Sequence, residues 1–155
     1  GDGAPAKCSI AFNDRIVHIS SSANVTLKHL TIQNGRASGS DGGGVYVYTS
    51  SGDPGTVALL EDVLITGNSS NDDGGGVGVY RAVVTIANST ISNNTADDAT
   101  DTAYGGGVYV SSESGSTLII LNSTISGNTA DTKAAAFTTA PRLRSPTARS
   151  AATRP

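Results

Sequence analysis

The sequence predicts an all-β solenoid wound as a parallel β-helix, on two observations. First, Gly-Gly-Gly-Val recurs at residues 42–45, 74–77 and 105–108, in steps of 32 and 31 residues. Second, short β-branched runs recur in phase with the glycines. A fixed period of some tens of residues marks stacked copies of one supersecondary unit.

Three short runs make up each unit. The first is Val25-Thr26-Leu27, matched by Ala58-Leu59-Leu60, Val84-Thr85-Ile86 and Leu118-Ile119-Ile120. The second is Leu30-Thr31-Ile32, matched by Val63-Leu64-Ile65, Ser89-Thr90-Ile91 and Ser123-Thr124-Ile125. The third is Val45-Tyr46-Val47, matched by Val77-Gly78-Val79 and Val108-Tyr109-Val110. Apolar first and third residues around a variable middle one give the period-two pattern of a half-buried strand. The expected coil is thus about 30 residues with three short strands. Stacking predicts five buried columns, among them Ile32/Ile65/Ile91/Ile125, which tests the register because a one-residue slip turns it to solvent. Ser89 and Ser123 share a column with Leu30 and Val63 and need hydrogen-bond partners.

After each second run comes Asn34-Gly35, Gly67-Asn68, Asn93-Asn94 or Gly127-Asn128. Asn and Gly tolerate the left-handed conformation of a sharp turn, and stacked Asn side chains can bond along the axis. These asparagines are read as structural, and the Asn-X-Ser/Thr sequons among them as incidental. The triple glycine is read as a place of tight bending or close backbone approach. A phosphate-binding loop is excluded, since no Gly-Lys-Ser/Thr follows and no helix begins there.

Residues 16–27, Leu30-Thr31-Ile32-Gln33-Asn34-Gly35, the Gly-Gly-Gly-Val-Tyr units and the repeated Asn-Ser-Thr-Ile-Ser at 88–92 and 122–126 resemble a known class. The chain resembles the right-handed parallel β-helix repeat proteins of bacterial cell surfaces, including the polymorphic outer-membrane protein type, within the pectate-lyase-like superfamily. The resemblance implies a right-handed, single-stranded β-helix over about residues 15–132, in an extracellular or surface-anchored protein. It also implies the rival reading of a polysaccharide lyase-like, carbohydrate-active enzyme.

Residues 1–14 read as a lead or the remnant of a cap. The repeats occupy 15–132. Beyond them glycine vanishes, and Lys133-Ala134-Ala135-Ala136-Phe137-Thr138-Thr139 stands where a fourth Gly-Gly-Gly is due. That stretch can be encoded AAG GCG GCG GCA TTT ACA AC. Regrouped, it is GGC GGC GGC ATT TAC AAC, or Gly-Gly-Gly-Ile-Tyr-Asn. In the same shifted frame residues 140–155 can read Ser-Ala-Thr-Leu-Thr-Val-Thr-Asn-Ser-Thr-Ile-Ser-Gly-Asn-Thr-Ala, echoing residues 122–130. Residues 133–155 are therefore expected to be an out-of-frame tail with no designed structure, following a single-base frameshift near Lys133. The natural protein is expected to continue as more coils, whose open end invites end-to-end self-association.

Over the whole chain ten Lys+Arg face 13 Asp+Glu. All the acids but only five of the bases precede residue 133, which leaves residues 1–132 at −8. Such a surface disfavours nucleic acid and anionic membranes. No run of about 20 apolar residues is present to span a membrane. Cys8 is the single cysteine, which rules out an internal disulfide or a multi-cysteine metal site.

Candidate sites follow from the loops and the outward strand positions. Asp41, Asp72, Asp73, Asp97, Asp98 and Asp101 precede glycine turns and are expected to project from one edge of the rod. Asp41, Asp72 and Asp73 are the Ca²⁺ candidates, because Ca²⁺ takes carboxylate oxygens. Tyr46 and Tyr109 share an outward column and are the candidates for stacking on sugar rings, with Gly78 interrupting them. Outward Thr26, Thr85, Thr31, Thr90 and Thr124 resemble the threonine arrays of ice-binding solenoids, but Leu59, Leu64 and Ile119 break both columns. No catalytic residue is assigned. Arg36 and Arg81 are not stacked, His18 and His29 are isolated, and no Ser/His/Asp or Cys/His set is visible. The expected role is a structural or adhesive rod that presents loops to glycans or surface proteins.

Overall fold

The computed structural model describes residues 14–39, 41–98, 102–131 and 136–139. Four copies of a four-strand unit are stacked. The first holds β1 (Val17–Ile19), β2 (Asn24–Lys28), β3 (Thr31–Gln33) and β4 (Arg36–Ala37). The second holds β5 (Val45–Tyr48), β6 (Thr56–Glu61), β7 (Leu64–Thr66) and β8 (Ser69–Ser70). The third holds β9 (Val77–Tyr80), β10 (Ala82–Ala87), β11 (Thr90–Ser92) and β12 (Thr95–Ala96). The fourth holds β13 (Val108–Val110), β14 (Thr117–Leu121), β15 (Thr124–Ser126) and β16 (Thr129–Ala130), and β17 (Phe137–Thr139) follows.

Each strand pairs, parallel, with its counterpart in the next coil. Sheet A runs β1-β5-β9-β13-β17, sheet B β2-β6-β10-β14, sheet C β3-β7-β11-β15 and sheet D β4-β8-β12-β16. The register matches the expected columns residue for residue. Val25/Ala58/Val84/Leu118 and Leu27/Leu60/Ile86/Ile120 align in sheet B. The isoleucine column aligns in sheet C. In sheet A, Val17 and Ile19 extend the two valine columns by one coil. These side chains form one continuous buried cluster along the axis.

The coil has four strands, not the three expected from the hydrophobic pattern. The extra two-residue strand of sheet D carries Ala37, Ser70, Ala96 and Ala130 on its inner side. Small residues leave no apolar alternation to read, so only the backbone ladder shows it. Part of the stretch read as tail also forms a strand. Phe137–Thr139 pairs with β13 in the place of a fifth sheet A strand, and the Ala136 carbonyl accepts the Val108 N–H. Strand pairing asks only for backbone donors and acceptors, so a stretch without the glycine triplet can fill the slot. Cys8, Asp101 and residues 140–155 lie outside the described residues.

The turn between sheets C and D is held from within. Asn68, Asn94 and Asn128 are buried and form a ladder. The Oδ1 of Asn94 accepts both the backbone N–H and the Nδ2–H of Asn68, and Asn128 does the same for Asn94. Each Nδ2 also donates to a carbonyl of the preceding coil, of Ile32, Ile65 and Ile91 in turn. The residue before each ladder position, Asn34, Gly67, Asn93 or Gly127, is left-handed. A second left-handed column, His29, Asp62, Asn88 and Asn122, turns the chain from sheet B to sheet C. There the Ser89 hydroxyl accepts the Val63 N–H and donates to the Ala87 carbonyl, meeting the need foreseen for it.

The glycine triplets are steric. The first of each, Gly42, Gly74 or Gly105, is left-handed. A Cβ on the second would lie 2.1 Å from the Ser69 oxygen at Gly43, 2.3 Å from the Thr95 oxygen at Gly75 and 1.9 Å from the Thr129 oxygen at Gly106. Sheet D of the next coil thus leaves room for hydrogen only.

Two substitutions test this account. Asn94→Ala strands the Asn68 amide and the Ile65 carbonyl in the interior, and is expected to lower unfolding free energy by about 2 kcal/mol or more in a urea titration. Gly75→Ala forces coil against coil, and is expected to lower the melting temperature further than Gly52→Ala, whose Cβ would meet nothing within 4 Å.

Candidate functional site: the acid and tyrosine face of sheet A

Alternation in sheet A sends His18, Tyr46, Tyr48, Gly78, Tyr80 and Tyr109 outward while the valines go in. His18, Tyr46, Gly78 and Tyr109 stand in one column, and Tyr48 and Tyr80 in the next. The rings of His18 and Tyr46 are 5.4 Å apart, those of Tyr46 and Tyr48 5.9 Å, and those of Tyr48 and Tyr80 5.5 Å. All are within the usual range for aromatic pairs. Arg15 lies 4.6 Å over Tyr46 and Arg81 5.4 Å over Tyr80. An aromatic row thus crosses three coils, its tyrosines half-buried, with one guanidinium over Tyr46 and another over Tyr80.

This row differs from the expected Tyr46–Tyr109 platform. The two expected tyrosines do not meet, because the chain leading into the first glycine triplet folds over the position between them. A Cβ on Gly78 would lie 2.8 Å from the Asp41 Cβ and 3.1 Å from the Tyr46 ring. The glycine read as a gap in the tyrosine column is the floor on which Asp41 sits. Tyr109 turns instead to Asp73, to which its hydroxyl is hydrogen-bonded. The sequence places Tyr48 and Tyr80 near this column, and the partners missed from it are His18 and Arg15. Tyr48 and Tyr80 fall in phase at the end of the third run, a signal that was available. Arg15 precedes the recognisable repeats and gives none.

Asp72 and Asp97 are exposed, whereas Asp41, Asp73 and Asp98 are partly covered. Asp41 is half-buried against sheet A, and carboxylate oxygens of Asp41, Asp72 and Asp73 all lie within 4.8 Å of one another. Asp97 and Asp98 are not part of this group. Backbone bonds hold it in place: the Gly42 N–H donates to the Asp73 carbonyl, and the Tyr104 N–H donates to Asp73 Oδ1 at 2.8 Å. Loss of water, then the charges of Asp72 and Asp73, push the Asp41 carboxyl up to about 7. Asp72 and Asp73 are also raised, each chiefly by burial. Tyr46 and Tyr109 are raised by burial and next by a neighbouring carboxylate, Asp41 and Asp73 respectively. His18 is held below the usual histidine range by burial and then by Arg15. Two oxygens on one Ca²⁺ lie at most about 4.8 Å apart, so the carboxylate spacing fits a hard cation whose other ligands are water. The face therefore offers flat apolar rings beside a dense set of acceptors.

A stack of in-register parallel coils with no helix among the described residues defines a β-solenoid. Its family can also be stated: a model described as right-handed β-helix region matches residues 15–139, and the chain belongs to that family. No curated protein and no solved structure matches it.

The carboxyls set a pH dependence. Asp41 holds its proton more tightly folded than unfolded, so its contribution is fully present below the unfolded value near 3.8 and is lost as pH rises through about 7. In chelator-containing buffer the melting temperature is expected to be higher at about pH 5 than at about pH 8, and Asp41→Asn to remove most of that difference. Calorimetry at the two pH values checks it.

Proposed function

We propose that the chain is a structural and adhesive segment of an extracellular or surface-anchored protein. Its stiff rod presents the outer face of sheet A to glycans. The observation that carries this reading is the unbroken ring row of His18, Tyr46, Tyr48 and Tyr80. Sugar rings have an apolar face that stacks on aromatic planes and an edge of hydroxyls that needs polar partners. Asp41, Asp72 and Asp73 supply acceptors beside the rings. The solenoid suits the role because neighbouring coils place equivalent side chains at a constant strand spacing, about 4.8 Å, over a surface too flat to enclose a small substrate. Among the described residues no helix is long and apolar enough to cross a membrane, and surface proteins are the partners this face fits next best.

A second reading draws on one observation. Arg15 lies over Tyr46 and its charge is felt at Asp41, so a guanidinium lies in the neighbourhood of the three clustered carboxylates. That is the charge pattern of a polysaccharide lyase-like enzyme. The threonine columns of an ice-binding face gain nothing, since Leu64 stands between Thr31 and Thr90 and is 38% exposed.

Retention on a panel of immobilised glycans tests the first reading. At least one glycan class is expected to be retained without turnover. Tyr48→Ala, which removes a ring touching two others, is expected to weaken retention about tenfold. Equal retention by Tyr48→Ala would sink the proposal. Polygalacturonate incubated with and without Ca²⁺ separates the second reading: turnover abolished by Asp72→Ala would establish the enzyme.

A further inference from the structure

The corner between sheets A and B is the part of the coil whose length changes most. It takes residues 49–55 in the second coil, Arg81 alone in the third and residues 111–116 in the fourth. Two long loops therefore flank a one-residue turn, and a groove of about 480 Å³ opens between them. That volume lies in the range of small-ligand sites. Val57 and Val83 make its apolar floor, as adjacent outward residues of β6 and β10. Val57 is 41% exposed, the most of any large hydrophobic residue described.

Both walls are stapled shut at their bases. The Thr56 N–H donates to Thr49 Oγ1, and the Thr56 hydroxyl donates to the Tyr48 carbonyl. Across the groove, Ser111 and Ser116 share a hydroxyl hydrogen bond, and Ser116 Oγ accepts the Arg81 N–H. Ser114 and Asp53 lie along the walls. The groove is thus built in advance, and ordering its walls costs a ligand little.

Its charge is balanced at one place. Arg81, lining the groove, donates from Nη2 to Glu113 Oε2 at 2.8 Å, and Glu113 immediately precedes the lining Ser114. A guanidinium has five N–H donors and a carboxylate about four acceptor positions. The pair therefore keeps donors and acceptors to spare, side by side. Neighbouring hydroxyls of a sugar ring match such a pair, one accepting from Arg81 and the next donating to Glu113. An acidic ligand would have to displace Glu113, and a cationic one would have to displace Arg81.

We propose that this groove binds a neutral hexose residue, its apolar face on Val57 and Val83 and two adjacent hydroxyls on the Arg81–Glu113 pair. The groove is argued from its own residues. It rests on the glycan-contact reading of sheet A only for a longer chain, which would continue from Arg81 onto Tyr80 and Tyr48.

Amide NMR of the full chain tests it, titrating methyl α-D-glucoside, methyl α-D-mannoside and methyl β-D-galactoside, with D-galacturonate as the acidic control. At least one neutral hexoside is expected to shift the Gly52, Gly55 and Gly115 amides saturably. Glu113→Gln and Arg81→Asn, which keeps a residue tolerant of the left-handed turn, are expected to weaken that binding about tenfold or more. Tyr48→Ala is expected to leave it within roughly twofold. Absence of saturable shifts with all three neutral hexosides overturns the proposal, as does tighter binding of galacturonate. Shifts confined to the sheet A tyrosines overturn the groove while leaving the sheet A reading intact. Should Arg81→Asn unfold, the exposed Glu113→Gln variant decides the matter alone.

Discussion

Hydrogen bonds that run along the axis hold this rod together, and its buried asparagine column is the constraint on which the rest of the geometry depends. At the corner between sheets C and D the chain turns too sharply for its backbone groups to pair only with one another. Asn68, Asn94 and Asn128 place an amide inside the corner that satisfies the coil on either side. A buried polar group without a partner costs about 1–3 kcal/mol, so a coil slipped by one residue would lose the ladder as well as its isoleucine. Polar and apolar columns thus specify the same register. Because that corner never changes, sheet D always returns to the same height. That is why each glycine triplet meets a carbonyl of the sheet D strand that follows it, about 2 Å from where a Cβ would lie.

Constancy at one corner leaves freedom at others. The sheet A to sheet B turn ranges from one residue to seven without disturbing any strand register. Loop insertions cost little free energy when the stems are already paired, and each coil here is paired on both sides. The chain leading into the first glycine triplet is another such place, and it folds Asp41 over Gly78. Both candidate surfaces, the acid and tyrosine face and the Arg81 groove, lie where coil length or loop path departs from the repeat. The repeated part builds the rod, and the departures give it chemistry.

Acids and rings also condition each other on that face. Asp41 lies between Tyr46 and two further carboxylates, half-removed from water, and its proton is held near neutral pH. Tyr109 meets Asp73 rather than another ring. Flat stacking surface and acceptor groups consequently occur within one side chain of each other, the combination that a polyhydroxylated ligand needs and that a purely apolar or purely acidic patch lacks.

Sequence alone determined the strand columns, because in-register stacking demands that inward residues repeat their character coil after coil. The isoleucine column, the asparagine turns and the glycine triplets were all legible for that reason. The sheet D strands were not, since Ala and Ser at their inner positions leave no hydrophobic alternation to see. Of the candidate site only residues were legible, Asp41, Asp72, Asp73 and Tyr46 among them, and not their arrangement: Asp41 and Gly78 are 37 residues apart, and nothing in their spacing says that a loop lies down on a strand of the next coil. Tertiary structure alone decided which tyrosines meet, that Asp41, Asp72 and Asp73 converge, and that Arg81 stands at the head of a groove. Periodic constraints are written into every repeat, whereas a contact made once, by a loop of unique length, is written nowhere but in the folded chain.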